Sequence, residues 1–566
     1  MFVNLPEFLK KILKIYQQKQ GPTVVAIKST SWEEVSGALI QEFKKVLNFN
    51  VSFEKSLHII LLSPTKNIFF KPSNSSHVLK NAWPLPMSGI NRIDILNFKL
   101  VVHIVYDEYG WDSLQAEIDV FIVDEPCKNM MRLAVSNIYV YTPSQVSTLE
   151  EIASFKQFKI VNRNSEQNLY QLSNPHIKHK CIQAQPSNIA VIGAGIAGAS
   201  IANLLSKKGH KVDLFDPKFN DMPTGEVFET SAGAITPVIT ADDSPKSRIS
   251  RAGVLRARTR WQCYFGQALN PCGTLEVDRD KGYAKSLAQA VEMLNFPDEW
   301  IRRVTAEEAT SISGFNINRD AVFLPFGMQI SPLKIIKLLT DLEGINKFTN
   351  RILSIDASCP KIRLKTEDND FFEGYDYVVI ASAIKTPEIL ATSGLDTVKL
   401  KSGQCVQRVS KFGTLHALSG QTLRVPAELV SGGPKCVIGG LGYFLPEMGG
   451  YCVMGSTYKH NDLNPEVSLE GHQSILSKIP IEFDFDAEDL VRLQGLKGHA
   501  CVRAVVNGRT PLIGRLKDTN VFLACAYGSH GMTWASLGTE IIGAEIGLEP
   551  SPLSRDLLRI MAPDST

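Results

Sequence analysis

The stretch VIGAGIAGAS (191–200) constrains the fold of this chain more than any other segment. It sits inside NIAVIGAGIAGASIANLLSKKGHKVDLFD (188–216), which reads as an apolar strand, a glycine turn, a helix, a second turn at Gly209 and a second strand ending in an acid. Each glycine has a physical reason. Gly193 permits the tight turn, Gly195 leaves room for a phosphate group against the backbone, and Gly198 lets the helix pack on the strand. The N-terminus of that helix stabilises negative charge. Asp216, 23 positions after the first glycine, can accept hydrogen bonds from ribose hydroxyls. An acid at that position disfavours a ribose 2′-phosphate, which leaves FAD or NAD.

The segments downstream of the turn favour FAD. A second glycine fingerprint of the same kind is missing, so a two-nucleotide reductase is not expected. Instead YDYVVIASA (375–383) reads as a buried strand returning to the cofactor, and CAYGSHGMTWASLGTEIIGAEI (525–546) as a strand, a turn and a long small-residue helix. A second helix N-terminus near the end of the chain would close over the ribityl chain and flavin.

The turn lies unusually late, with 187 residues before its strand. At 566 residues the chain is too long for one core, and about 150 residues per domain suggests three or four units. No apolar run reaches the ~18 residues needed to span a bilayer. The N-terminal segment lacks a small-residue cleavage site, and Leu5, Leu9, Ile12, Leu13 and Tyr16 recur at helical spacing, which predicts a docked amphipathic helix. Ten cysteines without a CxxC pair argue against a zinc site and a disulfide framework and suit a reducing cytoplasm. Net charge is +2, although residues 1–100 carry 13 Lys/Arg against 6 Asp/Glu. The stretch SRISRAGVLRARTR (247–260) places five arginines within thirteen residues. On a helix Arg248, Arg251 and Arg258 share one face and Arg256 and Arg260 another. A solvated helix is the expectation, with phosphate contacts the alternative.

A run of segments from about Ile189 to Pro563 resembles one family in order and spacing: GAITPVI (233–239), CGTLEV (272–277), FLPFGMQISP (323–332), KSGQCV (401–406), GGLGYFLP (439–446), MGSTY (454–458), VRAVVNGRTPLIG (502–514) and YGSHGMTWASLGTE (527–540). It is the FAD-dependent module of the bifunctional tRNA 5-methylaminomethyl-2-thiouridine biosynthesis proteins, within the glycine oxidase and D-amino-acid oxidase superfamily. Departures are GEVFETSA (225–232) before GAITP, Ala383 where glycine is usual, and His530 where arginine is common. The resemblance implies a cofactor site at Gly193, Gly195, Gly198, Asp216, Gly233, Gln404, Gly528, Ser529, His530, Gly531 and Met532. It also implies oxidation of a carboxymethylaminomethyl group on the wobble uridine of tRNA, releasing glyoxylate and a primary amine. The flavin carries that chemistry while the protein orients the carbon and anchors the carboxylate. Arg503 matches the family's VR motif and suits a bidentate pair with a carboxylate. Tyr458 is a second substrate-side candidate.

The front of that family is an S-adenosylmethionine methyltransferase, and residues 1–182 resemble its outline. VSFEKS (51–56) resembles the segment whose acid, here Glu54, holds the donor's ribose. DVFIVDEPCKNMM (119–131) resembles its strand and catalytic loop, with Asp119 and Asp124 in place. The strand VVAI is followed by KSTSWE (28–33) where a glycine loop is expected, and only glycine combines that turn with close approach of a ligand. Loss of methyl transfer is therefore expected. The alternatives are weak donor binding through a distorted loop, or a domain that grips tRNA or supports the oxidase.

The expected architecture is α/β. A Rossmann-like methyltransferase-type domain (1–182) precedes an FAD-dependent module (183–566), with a polar linker at 173–188. The module has FAD-binding parts at about 188–260, 325–400 and 490–550, and an inserted, mainly antiparallel substrate domain at about 261–324 and 401–489. S-adenosylmethionine is a cofactor only if the first domain remains active. tRNA is the expected partner, no metal or membrane is expected, and a monomer is favoured. Rival readings are an oxidase of free glycine-type amino acids and a non-catalytic FAD-containing tRNA-binding protein.

Overall fold

The computed structural model describes residues 5–47, 55–63, 69–72, 79, 82–96, 98–164, 168–177, 186–221, 223–277, 287–399, 404–483 and 495–564. Glu54 and residues 178–185 of the expected linker lie outside them. The chain divides into two compact units: Met1–Pro186 with Glu540–Arg559, and Ser187–Thr539 with Ile560–Thr566.

The first unit is built on an eight-stranded sheet: β1 (Thr23–Lys28), β2 (Leu57–Leu62), β3 (Gly89–Asp94), β4 (Leu100–Tyr106), β5 (Ile118–Val123), β6 (Ala134–Tyr141), β7 (Lys159–Asn164) and β8 (Leu169–Ser173). The spatial order is β3-β4-β2-β1-β5-β6-β8-β7. From β4 to β6 neighbouring strands are parallel, while β3 and β8 run antiparallel to their partners. Strands buried on both faces read as continuous apolar runs, as LHIILL in β2 does. The arrangement is Rossmann-like, with a topological switch where β1 pairs with β2 on one side and β5 on the other. The helix α1 (Leu5–Gln18) forms as its spacing predicts and buries Leu9, Ile12 and Tyr16 in the core above β1 and β2, with Leu13 packed at its edge.

The C-terminal residues 540–559 fall in this unit and not with the FAD-type unit, contrary to the sequence expectation. The reason is a buried polar cluster. The Glu549 carboxylate lies 3.7 Å from Arg92 and 4.0 Å from His58, and the Ser551 amide donates to the Gln115 carbonyl at 2.9 Å. Arg92 also meets Asp94 at 3.0 Å, and His58 Nδ1 lies 3.0 Å from His103 Nε2.

In the second unit a six-stranded sheet runs Ile345–Phe348, Lys211–Phe215, Asn188–Ile192, Tyr377–Ile380, Val521–Cys525 and Leu512–Arg515. All neighbours are parallel except the last pair. The glycine turn leaves the central strand Asn188–Ile192 at its carboxyl end, where ligands bind in such sheets. A nine-stranded, mainly antiparallel sheet carries the long strand His416–Pro426, which pairs with Tyr451–Gly455 and Gly498–Val505. Gly498–Val505 therefore belongs to the antiparallel sheet, although the sequence reading set it within the FAD-binding part. Backbone pairing decides this, and the apolar pattern is the same for either sheet.

The helix Pro245–Arg260 is not the solvated helix expected from its charge. Arg251 and Arg256 are buried. Arg251 makes a two-pronged pair with Asp243 at 2.8 and 3.0 Å and covers the Phe296 ring. Arg258 lies over Phe326 and reaches the Pro325 carbonyl. Guanidinium planes satisfied by a carboxylate or stacked on rings can be buried where lysine would not.

Candidate functional site

The glycine turn has the geometry its sequence demands. Gly193 adopts φ +103°, and a Cβ there would lie 2.6 Å from the Ala381 carbonyl oxygen. A Cβ on Gly198 would lie 1.8 Å from the Gly193 oxygen, so this glycine sets the contact of helix and turn. Gly195 differs: it caps the helix Ile196–Lys207 with φ −62°, and a Cβ there would meet nothing within 4 Å. The open space lies against free helix N–H groups, the arrangement a pyrophosphate needs. Asp216 steadies the turn, accepting from the Ala194 amide at 2.7 Å and the Lys218 amide at 2.9 Å. Its oxygens retain lone pairs for further donors.

A cavity of about 1280 Å³ opens from Gly195 and Ile196 and is walled by Gly233, the Gly528–Met532 turn, Arg503 and Tyr458. Gly233 lies on the strand Gly233–Ile235, paired with Met328–Ile330. The turn around Ser529 and His530 leads into the helix Gly531–Gly547, which aims a second helix N-terminus at the cavity. The helix Pro245–Arg260 approaches that N-terminus closely because Gly253 has no side chain: a Cβ there would be 2.5 Å from the Thr533 oxygen.

Arg503 projects from the antiparallel sheet, with its guanidinium carbon 5.5 Å from the centre of the Tyr458 ring. Its Nη1 is buried and has no hydrogen-bond partner among the described residues. A buried guanidinium nitrogen left unmatched is costly, so this geometry fits an incoming carboxylate. Tyr458 is 53% exposed and stands at the cavity's edge. Burial, followed by the charges of Lys246, Arg509 and Arg503, pushes the His530 imidazole down to about 4. His530 is therefore neutral near pH 7.

Gln404 is exposed and does not line the cavity; it precedes the short strand Cys405–Gln407. Lys246, Arg509 and Tyr443, which sequence reasoning did not select, do line it. Arg509 and Tyr443 stand inside quoted stretches and Lys246 directly precedes one, but no feature of residue type separated any of them from its neighbours.

In the first unit, Asp119 and Asp124 turn inward. Asp119 is buried, accepting from Lys19 Nζ at 2.7 Å and from the Val24 amide at 2.9 Å. Asp124, at the carboxyl end of β5, accepts from Ser29 Oγ at 2.7 Å, the Thr30 amide at 2.7 Å and Thr30 Oγ1 at 3.0 Å. These three bonds draw the loop after β1 onto β5, across the switch point. Beside it Trp32, Phe70, Trp83 and Tyr106 form a cluster with ring centres 5.1 to 5.7 Å apart, tied by Trp83 Nε1 donating to the Tyr106 hydroxyl at 2.6 Å.

Residues 188–544 match the family model described as FAD dependent oxidoreductase. The chain is similar to the tRNA 5-methylaminomethyl-2-thiouridine biosynthesis bifunctional protein MnmC of Paraburkholderia xenovorans (strain LB400), 24% identical over 549 residues that cover 86% of this chain and 80% of that protein. The protein of the same name from Ralstonia nicotianae (strain ATCC BAA-1114 / GMI1000) is 26% identical, again over 86% of this chain and 80% of that one. Among solved structures, glycine oxidase from Geobacillus kaustophilus shares the fold with a TM-score of 0.52 at 15% identity, covering 67% of this chain and 99% of that one. The glycine turn with its open cradle, the second helix N-terminus and the matched span together lead to one assignment: this chain belongs to the family of FAD dependent oxidoreductases.

Proposed function

We propose that this protein oxidises the carboxymethylaminomethyl group on the wobble uridine of tRNA, leaving the aminomethyl form, and that its first unit does not methylate the product. The observation that carries the reading is the buried, unpartnered Arg503 Nη1 in the same cavity as the Gly195 cradle. A substrate with an N-linked glycine presents a carboxylate to that nitrogen. The relatives named for tRNA 5-methylaminomethyl-2-thiouridine biosynthesis, similar over both units, support the tRNA context.

Gly193, Gly195, Gly198 and Asp216 would hold the dinucleotide end of FAD, and Gly233 with Gly528–Met532 the flavin end. FAD, when bound, supplies the acceptor for the two electrons of the amine's C–H bond. Arg503 fixes the glycine moiety by its carboxylate, which holds the reacting carbon in one place and orientation. Tyr458, whose ring centre lies 5.5 Å from the Arg503 guanidinium carbon, borders the guanidinium on one side. His530, neutral at working pH, adds no fourth positive charge beside Lys246, Arg509 and Arg503. Loss of a hydride and a proton turns the R–NH–CH2–COO⁻ group into an imine. Addition of water then gives the primary amine and glyoxylate.

Two features of the first unit support the loss of methyl transfer. The glycine-free loop is held on Asp124, and the aromatic cluster occupies the carboxyl edge of the sheet where a donor's adenosyl group would lie. The test uses holoprotein and undermodified tRNA carrying the carboxymethylaminomethyl group, with and without S-adenosylmethionine, followed by mass analysis of the wobble nucleoside. The expected product is the primary amine in both reactions. A methylated product only with the donor would refute the reading of the first unit. Anaerobic bleaching of the flavin by glycine but not by tRNA would replace the substrate with a free amino acid.

A further inference from the structure

The cavity holds more positive charge than one carboxylate matches. Arg503, Lys246 and Arg509 all line it, and none of the three has a carboxylate partner among the described residues. Other cations of this region are neutralised: Arg424 meets Glu226 at 2.7 Å, and Arg251 meets Asp243 at 2.8 Å. Lys246 and Arg509 also occupy positions that are unfavourable without an anion. Lys246 sits in the first turn of the helix Pro245–Arg260, a turn with no acidic residue, where the helix dipole opposes a cation. Arg509 sits in the turn Asn507–Arg509 with φ +53°, a left-handed conformation disfavoured for arginine, directly after Gly508 at φ +79°. The two are close enough to perturb one another, since Arg509 contributes to lowering the Lys246 ammonium after burial itself.

The carboxylate of the substrate accounts for Arg503. We infer that Lys246 and Arg509 form a separate subsite that binds a backbone phosphate of the polynucleotide next to the modified uridine. The inference rests on the proposed tRNA substrate. It assigns these two residues to selection of a polynucleotide over a free N-substituted glycine, because only the polynucleotide brings a phosphate together with the carboxylate. A phosphate oxygen accepts readily from an ammonium or a guanidinium, and such contacts position the strand without reading its bases.

The experiment compares holoprotein with Lys246→Ala, Arg509→Ala and the double variant on two substrates: tRNA carrying the modified uridine, and 5-carboxymethylaminomethyluridine nucleoside, which has no phosphate. The ratio of kcat/KM for tRNA over nucleoside is expected to fall about tenfold per substitution. The slope of log affinity for tRNA against log salt should shrink by about one per cation removed. Lys246→Arg should restore the ratio. Equal losses on both substrates would overturn the subsite, as would an unchanged ratio. Weakened FAD binding in the variants would also overturn it, because the two cations would then serve the cofactor's own phosphates. Binding of unmodified tRNA at several salt concentrations separates this inference from the substrate reading. If wild-type protein oxidises neither substrate yet binds tRNA with a salt slope that the double variant lowers, the subsite stands and the reaction is another. If the slope is the same in both, the subsite is wrong.

Discussion

Two glycines of one motif should fail in different ways when each is replaced by alanine. At Gly198 the added carbon would stand 1.8 Å from the Gly193 oxygen and 3.3 Å from Val191 Cγ1. A tolerable C···O approach is about 3.3–3.6 Å, so the helix Ile196–Lys207 would have to retreat by roughly 1.5 Å from a strand buried at the sheet's centre. The cost falls at or above the upper end of the ~1–3 kcal/mol typical of overpacking. At Gly195 the φ is −62° and nothing lies within 4 Å. Alanine there is conformationally allowed, and because the unfolded-chain gain opposes alanine's weakness as a helix cap, apoprotein stability should stay within about 1 kcal/mol of native. Its methyl group would occupy the space where pyrophosphate meets backbone, weakening FAD at least tenfold, about 1.4 kcal/mol. Calorimetry of apoprotein and titration of flavin fluorescence separate the two effects. With FAD at 100 times the native Kd, the cofactor should stabilise wild type by about 2.7 kcal/mol and Gly195→Ala by about 1.4 kcal/mol or less. Native FAD affinity in Gly195→Ala would refute the cradle, and native apoprotein stability in Gly198→Ala would refute the close-contact argument.

Arg503→Met should leave FAD binding and thermal stability near native while lowering kcat/KM by about 10²-fold or more, since the substrate carboxylate would lose a charge-assisted pair in a desolvated site; steady-state kinetics decide it, and an unchanged KM would remove Arg503 as the anchor. In the first unit, burial, then the neighbouring His58 and Arg92, hold His103 neutral well below the ordinary imidazole range, against the opposing influence of Asp94 and Glu549. The unfolded chain takes that proton near pH 6.5 and the folded unit does not, so stability is complete above about 6.5 and falls as pH drops below it, by up to ~1.4 kcal/mol per pH unit. Hydrogen exchange in β2 and β4 between pH 7.5 and 5 should show this loss. Protection that stays constant after correction for the intrinsic exchange rate would count against it.

The FAD-type half was largely legible because its signals are local. Strand, glycine turn, helix and acid occupy 29 consecutive residues, and the positive φ of Gly193 and the contact of Gly198 with the Gly193 oxygen both arise within that span. The same holds for the N-terminal helix, whose apolar spacing predicts the face it buries, and for the missing glycines after β1. The arginine-rich helix was misread because composition does not reveal partners: Asp243, Phe296 and Phe326 remove Arg251 and Arg258 from the role their charge suggests.

Sequence alone thus determined that a dinucleotide turn exists, that an acid ends the strand after it, and that the first unit has the outline of a Rossmann-like sheet with an altered first loop. Tertiary structure decided what those parts meet. It drew Ser29 and Thr30 onto Asp124, assigned residues 540–559 to the first unit through Glu549, and brought Lys246, Arg503 and Arg509 to one cavity without carboxylate partners among the described residues. The physical reason is range. Dihedral preference and apolar period act over a few residues and are written in the local sequence, whereas charge pairing and desolvation depend on which distant segments the fold brings within a few ångströms.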